Sequence, residues 1–336
     1  MGFVSISALR MQSRCFMIKK IFLFCFPLFV LALTTIKPAH SIQSSGNVFD
    51  IVVSGNEVYL ANGVGVIEVF ERKSKTLKPI LSLEYIKDFM GDSIGAKIYS
   101  IDKLGNRLLL SSQGNKGYRN VFVYHLDTKK LTKIIGIDKK MYVKKSLFVD
   151  EKTIIMGLLS NQIILFDLEQ NKKIYDKQIN TSPFSDFALS QDKKTLATTD
   201  ESGIVQILQV KNAKVIRRQK PTNLDKVYQI DYKNQATLTA GQDRKSVFYS
   251  TQPAKKRAYI LEFDFLIYSC ALNKDASLGA IAYNEDNDIL IFDTKTKERK
   301  YNLHGQDATM TKIVFLDDNT LLSASESKTI HLWKLP

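Results

Sequence analysis

Cysteine is scarce in this 336-residue chain, which has three: Cys15, Cys25 and Cys270. The first two lie in or before an apolar amino-terminal stretch, so the remainder holds Cys270 alone and can form no internal disulfide. The Cys-x-x-Cys-His signature of covalent haem is missing. Cys270 sits in the apolar run Ile267 to Leu272, where a small buried hydrophobe is the expected role rather than a reactive thiol. Glycine (16) and proline (7) are too few for collagen or a low-complexity tract, and with 24% charged residues a polytopic membrane protein is excluded. Beyond residue 41 there are only three histidines, His125, His304 and His331, and no two of them stand at metal-ligand spacing. Arginine supplies 10 of the 48 cations, and the basic residues are scattered in ones and twos. Nucleic-acid readers use arginine forks or aromatic platforms beside a basic groove, so nucleic acid is not an expected partner.

What is present begins with a leader. The net charge of +14 falls to +9 once the first 41 residues are set aside, because they hold Arg10, Arg14, Lys19, Lys20 and Lys37 and no acid. Lys19 and Lys20 precede the apolar run Ile21 to Leu33, and Pro38-Ala39-His40-Ser41 follows with small residues at Ala39 and Ser41. A charged start, a short apolar middle and a small-residue exit predict a signal peptide over residues 1–41. The apolar run spans about 20 Å as a helix, short of a hydrocarbon core of about 30 Å, which favours a cleaved leader over a permanent anchor. Met17 would open a leader of ordinary proportions, making residues 1–16 an over-extended start. Lysine and isoleucine richness with such a leader points to a bacterial periplasm, with residues 42–336 as one domain.

A repeat organises that domain. Its clearest copy runs Thr311-Lys312-Ile313-Val314-Phe315, the turn Asp317-Asp318-Asn319, Thr320-Leu321-Leu322-Ser323-Ala324, a second polar turn, and Thr329-Ile330-His331-Leu332-Trp333. These are three short strands, each alternating between a core face and a face toward solvent or a neighbouring sheet. The bulky residue ending the third strand of each copy is Phe70, Tyr124, Phe166, Leu208, Tyr249, Phe292 and Trp333, at intervals of 54, 42, 42, 41, 43 and 41. A less apolar fourth strand follows each marker but the last. Four antiparallel strands in about 42 residues make one blade of a β-propeller. The expected fold is all-β with seven blades, the last completed by Ile42 to Gly46 so that the two ends of the chain pair and remove an exposed edge.

Over residues 47–336 the sequence resembles the WD40 repeat family, best at Leu322-Ser323-Ala324-Ser325 through Trp333, preceded by His304-Gly305. The family's tryptophan-aspartate pair survives only as Phe292-Asp293 or Phe166-Asp167, and Ser327 stands in the last blade's turn where an aspartate is usual. The resemblance implies a propeller with a degenerate set of buried His, Ser, Asp and Trp hydrogen bonds.

Several strings imitate catalytic motifs. Gly91-Asp92-Ser93-Ile94-Gly95 matches the nucleophile-elbow pattern, but that chemistry needs a helix after the serine and a histidine within reach, and a strand-like segment follows instead. Gly63-Val64-Gly65 lacks the third glycine of a dinucleotide loop, and Gly114-Asn115-Lys116-Gly117 lacks phosphate-loop spacing. Acids such as Asp192, Asp286, Asp288, Asp317 and Asp318 read as turn residues, so neither metal nor other cofactor is expected and no catalytic residue is assigned.

The long first interval is informative. About twelve extra residues are divided between Ile86 to Lys97 and the turn Gln113 to Asn120. In an antiparallel blade the crossover to the next blade and the turn joining strands two and three lie at one end, so both expansions fall on one face beside the second blade. Tyr85, Phe89, Met90, Tyr118 and Arg119 would give that patch aromatic and cationic anchors for a protein partner.

A closed ring with loops on two faces and no reactive constellation reads as a non-catalytic binding platform. Among exported, lysine-rich, seven-bladed bacterial chains of this size, it is similar to NapL-type accessory proteins of periplasmic nitrate reductase systems. That resemblance implies help with maturation or activity of a molybdenum-containing reductase, without molybdenum cofactor or haem of its own. A scaffold for another exported complex, or a propeller enzyme such as a lactonase or quinone-dependent dehydrogenase, stays open beside it.

Overall fold

A computed structural model describes residues 33–252 and 257–336. Most of the expected leader, residues 1–32, lies outside the described residues. Seven antiparallel sheets follow one another along the chain, at 48–82, 98–135, 143–178, 184–218, 227–262, 270–303 and 310–334. Each of the first six runs its four strands in order from inner to outer edge. The seventh has three strands of its own and takes its fourth from β2, His40–Gln43, which pairs antiparallel with Thr329–Lys334 through Ile42 opposite Ile330. Closure by the two chain ends is therefore present, but two residues earlier than Ile42 to Gly46. A further strand, β1 at Thr34–Ile36, lies parallel to the outer strand of blade 6, with Thr34 opposite Tyr301 and Ile36 opposite Leu303. The ring thus includes residues 34–41, which the leader reading had assigned to its exit.

Why the strands are apolar on both faces follows from where the core lies. There is no single centre; seven apolar clusters are each wedged between two neighbouring sheets. A run such as Ile163-Ile164-Leu165-Phe166 sends alternate side chains into two different clusters, Ile164 and Phe166 toward blade 2 and Ile163 and Leu165 toward blade 4. All seven third-strand markers, from Phe70 to Trp333, are buried there. The turns use residues that tolerate left-handed backbone: Asn234 and Gln235 both have positive φ (44° and 59°), the geometry of a two-residue hairpin that matches strand twist.

Facing the central channel, the inner strands carry a recurrent β-bulge, at Val48/Asp50, Val143/Lys145, Phe184/Asp186, Val227/Gln229 and Met310/Lys312, and in blade 2 opposite Ser111/Ser112. Asp50, Lys145, Asp186 and Lys312 follow those bulges, and the two pairs meet across blade boundaries: Lys312 Nζ lies 2.8 Å from Asp50 Oδ1, and Lys145 Nζ 2.8 Å from Asp186 Oδ1. The second carboxylate oxygens accept backbone N–H groups of the next blade, from Ile101 to Asp50 and from Ile230 to Asp186, both at 3.0 Å. Asp102 and Asp231 do the same, accepting from Phe148 N–H at 2.7 Å and Leu272 N–H at 2.8 Å. These are charge-assisted clamps between sheets. These four channel-wall acids were given no role in the sequence reading, which considered only acids of turns such as Asp192 and Asp317.

Environment separates the clamps electrically. Burial pushes the Asp50 carboxyl up, but the Lys312 and Lys145 ammoniums, with hydrogen bonds from Lys312 and Ile101, outweigh it and hold it below the usual carboxylate range. Asp102 has no lysine in contact, and burial raises it to about 6 against the pull of the Phe148 and Lys103 N–H groups.

Two predictions result. Replacing the seam residue Ile42, 6% exposed, by Ala should cost about 2–5 kcal/mol in chemical denaturation, a core truncation at the point where the ring closes. Because Asp102 takes up its proton more readily folded than unfolded, its contribution is fully present below the ordinary carboxylate range and is lost as pH rises through about 6. Asp102→Asn, which keeps an acceptor for Phe148, should match the parent near pH 4 and become progressively more stable than it up to pH 7. A pH-independent difference would show that folding does not raise the Asp102 carboxyl.

Candidate protein-binding face

The two expansions meet. Ile86–Lys87 and Ser93–Ile94 form a small hairpin between blades 1 and 2. Its base is fixed by Ile86, which joins Leu83 and Ala96 in the core between those blades. At the tip the Asp88 carboxylate accepts the Met90 and Asp92 N–H groups, each at 2.9 Å, and closes the turn. The hairpin is tied to the second expansion by a hydrogen bond from Lys87 N–H to Asn115 Oδ1, 2.8 Å. Phe89 lies directly over Gly117, whose φ of +79° and whose lack of a Cβ both matter: a methyl group there would stand 2.9 Å from Phe89 Cζ.

This geometry accounts for the nucleophile-elbow look-alike. Gly91 has φ +90° in the hairpin turn, Ser93 is an exposed strand residue, and Gly95 is glycine because a Cβ would come within 2.4 Å of the Val64 carbonyl oxygen. Gly63-Val64-Gly65 is the turn between two strands of blade 1.

Of the five expected anchors, the structure gathers four in one neighbourhood. Phe89 (83% exposed) and Met90 (87%) project at the hairpin tip, and Tyr85 (73%) is on its approach. Tyr85 and Tyr118 line a groove of about 550 Å³ with Ile86, Phe122, Leu131 and Ile137. Tyr118 also stacks on Tyr142, ring centres 5.4 Å apart. Arg119 stands apart from that groove. Its guanidinium lies 3.8 Å from the centre of the Tyr99 ring, at the mouth of the channel.

That mouth, a concavity of about 280 Å³, opens on the same face because it is built from the first residues of the inner strands. Phe49, Tyr99, Lys144, Tyr228 and Tyr268 surround it. Tyr228 and Tyr268 stack at 5.0 Å, and Phe49 and Tyr99 meet at 6.0 Å. Burial pulls the Lys144 ammonium below its usual range, with the nearby Asp186 opposing, and its Nζ reaches the Phe184 carbonyl at 3.4 Å. Sequence reasoning passed over these residues. Phe49, Tyr99, Lys144, Ser185, Tyr228, Tyr268 and Thr311 occupy one repeat position at intervals of 50, 45, 41, 43, 40 and 43, and reading that column would have found them.

The polar ladder of blade 7 differs from the reading based on His304-Gly305. Trp333 Nε1 donates to Ser323 Oγ (2.8 Å), Ser323 to Gln306 Oε1 (2.7 Å), and Gln306 Nε2 to Ser325 Oγ (2.8 Å), while Ser327 Oγ reaches Asp307 (2.8 Å). Gln306 fills the place expected of His304, whose Nδ1 instead contacts Asp288 of blade 6 at 2.7 Å. His331 Nδ1 is engaged by Ser41 Oγ at 2.9 Å. Among the described residues no group of three or more His, Cys, Asp or Glu side chains converges as a metal site.

No family profile matches the sequence, and no curated protein matches it. Among solved structures the chain is similar to one in the crystal structure of the mitotic checkpoint complex, with a TM-score of 0.72 and 14% identity over 99% of each chain. It is also similar to the β-propeller domain of Myceliophteria thermophila Cps50 (Swd1), with a TM-score of 0.70 and 12% identity over 89% of this chain and 99% of that one. At such identities the likeness speaks to architecture alone, and with the sheet order it shows an all-β, seven-bladed β-propeller.

Proposed function

We propose that this protein is an exported, non-catalytic platform that binds a protein partner on the face carrying the hairpin and the channel mouth. The observation that carries the reading is the hairpin tip. Phe89 and Met90 stand almost fully exposed on an element braced at its base by Ile86 and at its side by Asn115 and Gly117. Large apolar side chains exposed on a braced backbone favour burial in a complex, because the ordering cost of that backbone is already met by the fold. The groove beside them and the aromatic, cationic channel mouth open at the same end of the blades. A propeller neighbour drawn from a multiprotein complex is consistent with this use of the fold.

The narrower role, as an accessory protein of periplasmic nitrate reductase, rests on likeness of size, leader and degenerate blades alone, and neither structural neighbour adds to it. Export to the periplasm rests on the leader. Binding of the purified chain to a periplasmic nitrate reductase, compared with other exported complexes, tests the narrower role.

The platform itself is tested by replacing Phe89, Met90 and Tyr118 together by Ala. Affinity for a captured partner should fall tenfold or more, about 1.4 kcal/mol or above, as expected for interface anchors. The melting temperature should stay nearly unchanged, since Phe89 and Met90 contribute little to the core. Undiminished affinity would remove this face from the interface.

A further inference from the structure

The leader and the ring compete for the same residues. Ala39 and Ser41 offer a small-residue exit, yet cutting after Ser41 would discard β1 and half of β2. We infer that the leader is removed instead by hydrolysis of the Ala32–Leu33 peptide bond, and that residues 33–43 remain as a strap across the outer edges of blades 6 and 7. This rests on the export reading, with a signal peptidase as the hydrolase and water adding across the bond to give the Ala32 carboxylate and the Leu33 amine.

Every part of the strap is engaged. Leu33 packs against the cluster between blades 5 and 6, and Ile36 against that between blades 6 and 7. The Ile36 carbonyl accepts His304 N–H at 2.9 Å. The Pro38 ring sits against Gly305, where an added Cβ would lie 3.1 Å from Pro38 Cδ. Ala39 N–H donates to the Leu332 carbonyl at 2.8 Å, Ser41 Oγ meets His331 Nδ1 at 2.9 Å, and Ile42 is buried in the seam. A chain beginning at Ile42 would put a new ammonium group on the backbone of a strand whose side chain is 6% exposed, and would leave the outer edge of blade 7 half unpaired.

The small residues that suggested the later cut have a structural explanation. Ser41 is an exposed strand residue whose hydroxyl serves His331, and Ala39 lies exposed in the passage between β1 and β2. Upstream, Ala32 lies near the end of the apolar run Ile21 to Leu33, two positions beyond Val30, and the eleven residues Ile21 to Leu31 before it fall within the 7–15 of a leader core. The bond that satisfies both leader and ring is therefore the one before Leu33.

The test is amino-terminal sequencing and intact mass of the full-length protein expressed with its own leader and recovered from the periplasm, alongside Ala32→Arg and Ser41→Arg. The expected first residue is Leu33, with processing lost in Ala32→Arg and retained in Ser41→Arg. A first residue of Ile42, nine residues further on, with processing blocked by Ser41→Arg, overturns the strap while leaving export intact. A full-length chain found only in the cytoplasm overturns both.

Discussion

Closure of the ring is the constraint on which the remaining structure depends. Each apolar cluster is shared by two sheets, so no blade buries both faces without a neighbour on each side, and the last gap is filled only when residues from the two ends of the chain meet. The cluster at that gap combines Ile42 with Val48, Ile51 and Phe70 of blade 1 and Leu322, Ala324, Ile330 and Leu332 of blade 7. Bringing Ser41 to His331 closes a loop of 290 residues, an entropy that rises only with the logarithm of length, whereas an unsealed ring would expose two sheet faces and one sheet edge. The channel electrostatics hang on the same seam, because the Lys312–Asp50 pair joins blade 7 to blade 1.

Charge in the channel follows from that closure. Lone aspartates or lysines in a narrow apolar-walled passage would be costly to ionise. Here Asp50 and Asp186 each face a lysine from an adjacent blade and also accept a backbone N–H from the next. The inner strands thereby gain lateral hydrogen bonding that sheet ladders cannot provide, since those run within blades. Asp102, with an N–H partner but no lysine in contact, shows the contrast: the same residue type in the same wall is driven upward by burial instead of being held down.

The fold was legible because its signal is redundant. Seven buried third-strand markers, from Phe70 to Trp333, recur at a nearly constant interval, and no single irregular copy can hide the period. The channel residues were not legible for a physical reason. A bulge inserts one residue into each of most inner strands and flips the following side chain to the opposite face, so strict alternation misplaces Asp50, Lys145, Asp186 and Lys312. Attention to the acids of turns, such as Asp192 and Asp317, then left those of the inner strands without an assigned role. Similar trouble befell His304: the family resemblance implied it for the Trp333 ladder, but Gly305 has φ +137° and Gln306 takes the position. In the candidate face the crowding of the two expansions could be deduced from strand parity. The separate orientation of Arg119 could not, because it depends on which ring lies within reach across the blade, and that ring is Tyr99.

Repetition also explains why the candidate face lies where it does. Across the five regular intervals the crossovers build no hairpin of their own, and the exposed apolar residues there, such as Ile137 and Leu224, stand singly. Among the described residues, only between blades 1 and 2 does the chain build a separate hairpin whose tip is exposed while its base is packed. Ile86 must remain apolar for the core, and Gly95 and Gly117 must remain small for the close approaches to Val64 and Phe89. Phe89 and Met90 answer to neither demand. Folding gains almost nothing from an exposed phenylalanine and methionine at a hairpin tip. Under the binding role proposed above, their benefit comes from a contact outside the chain, and the bracing beneath them lowers the entropy that such a contact would otherwise have to overcome.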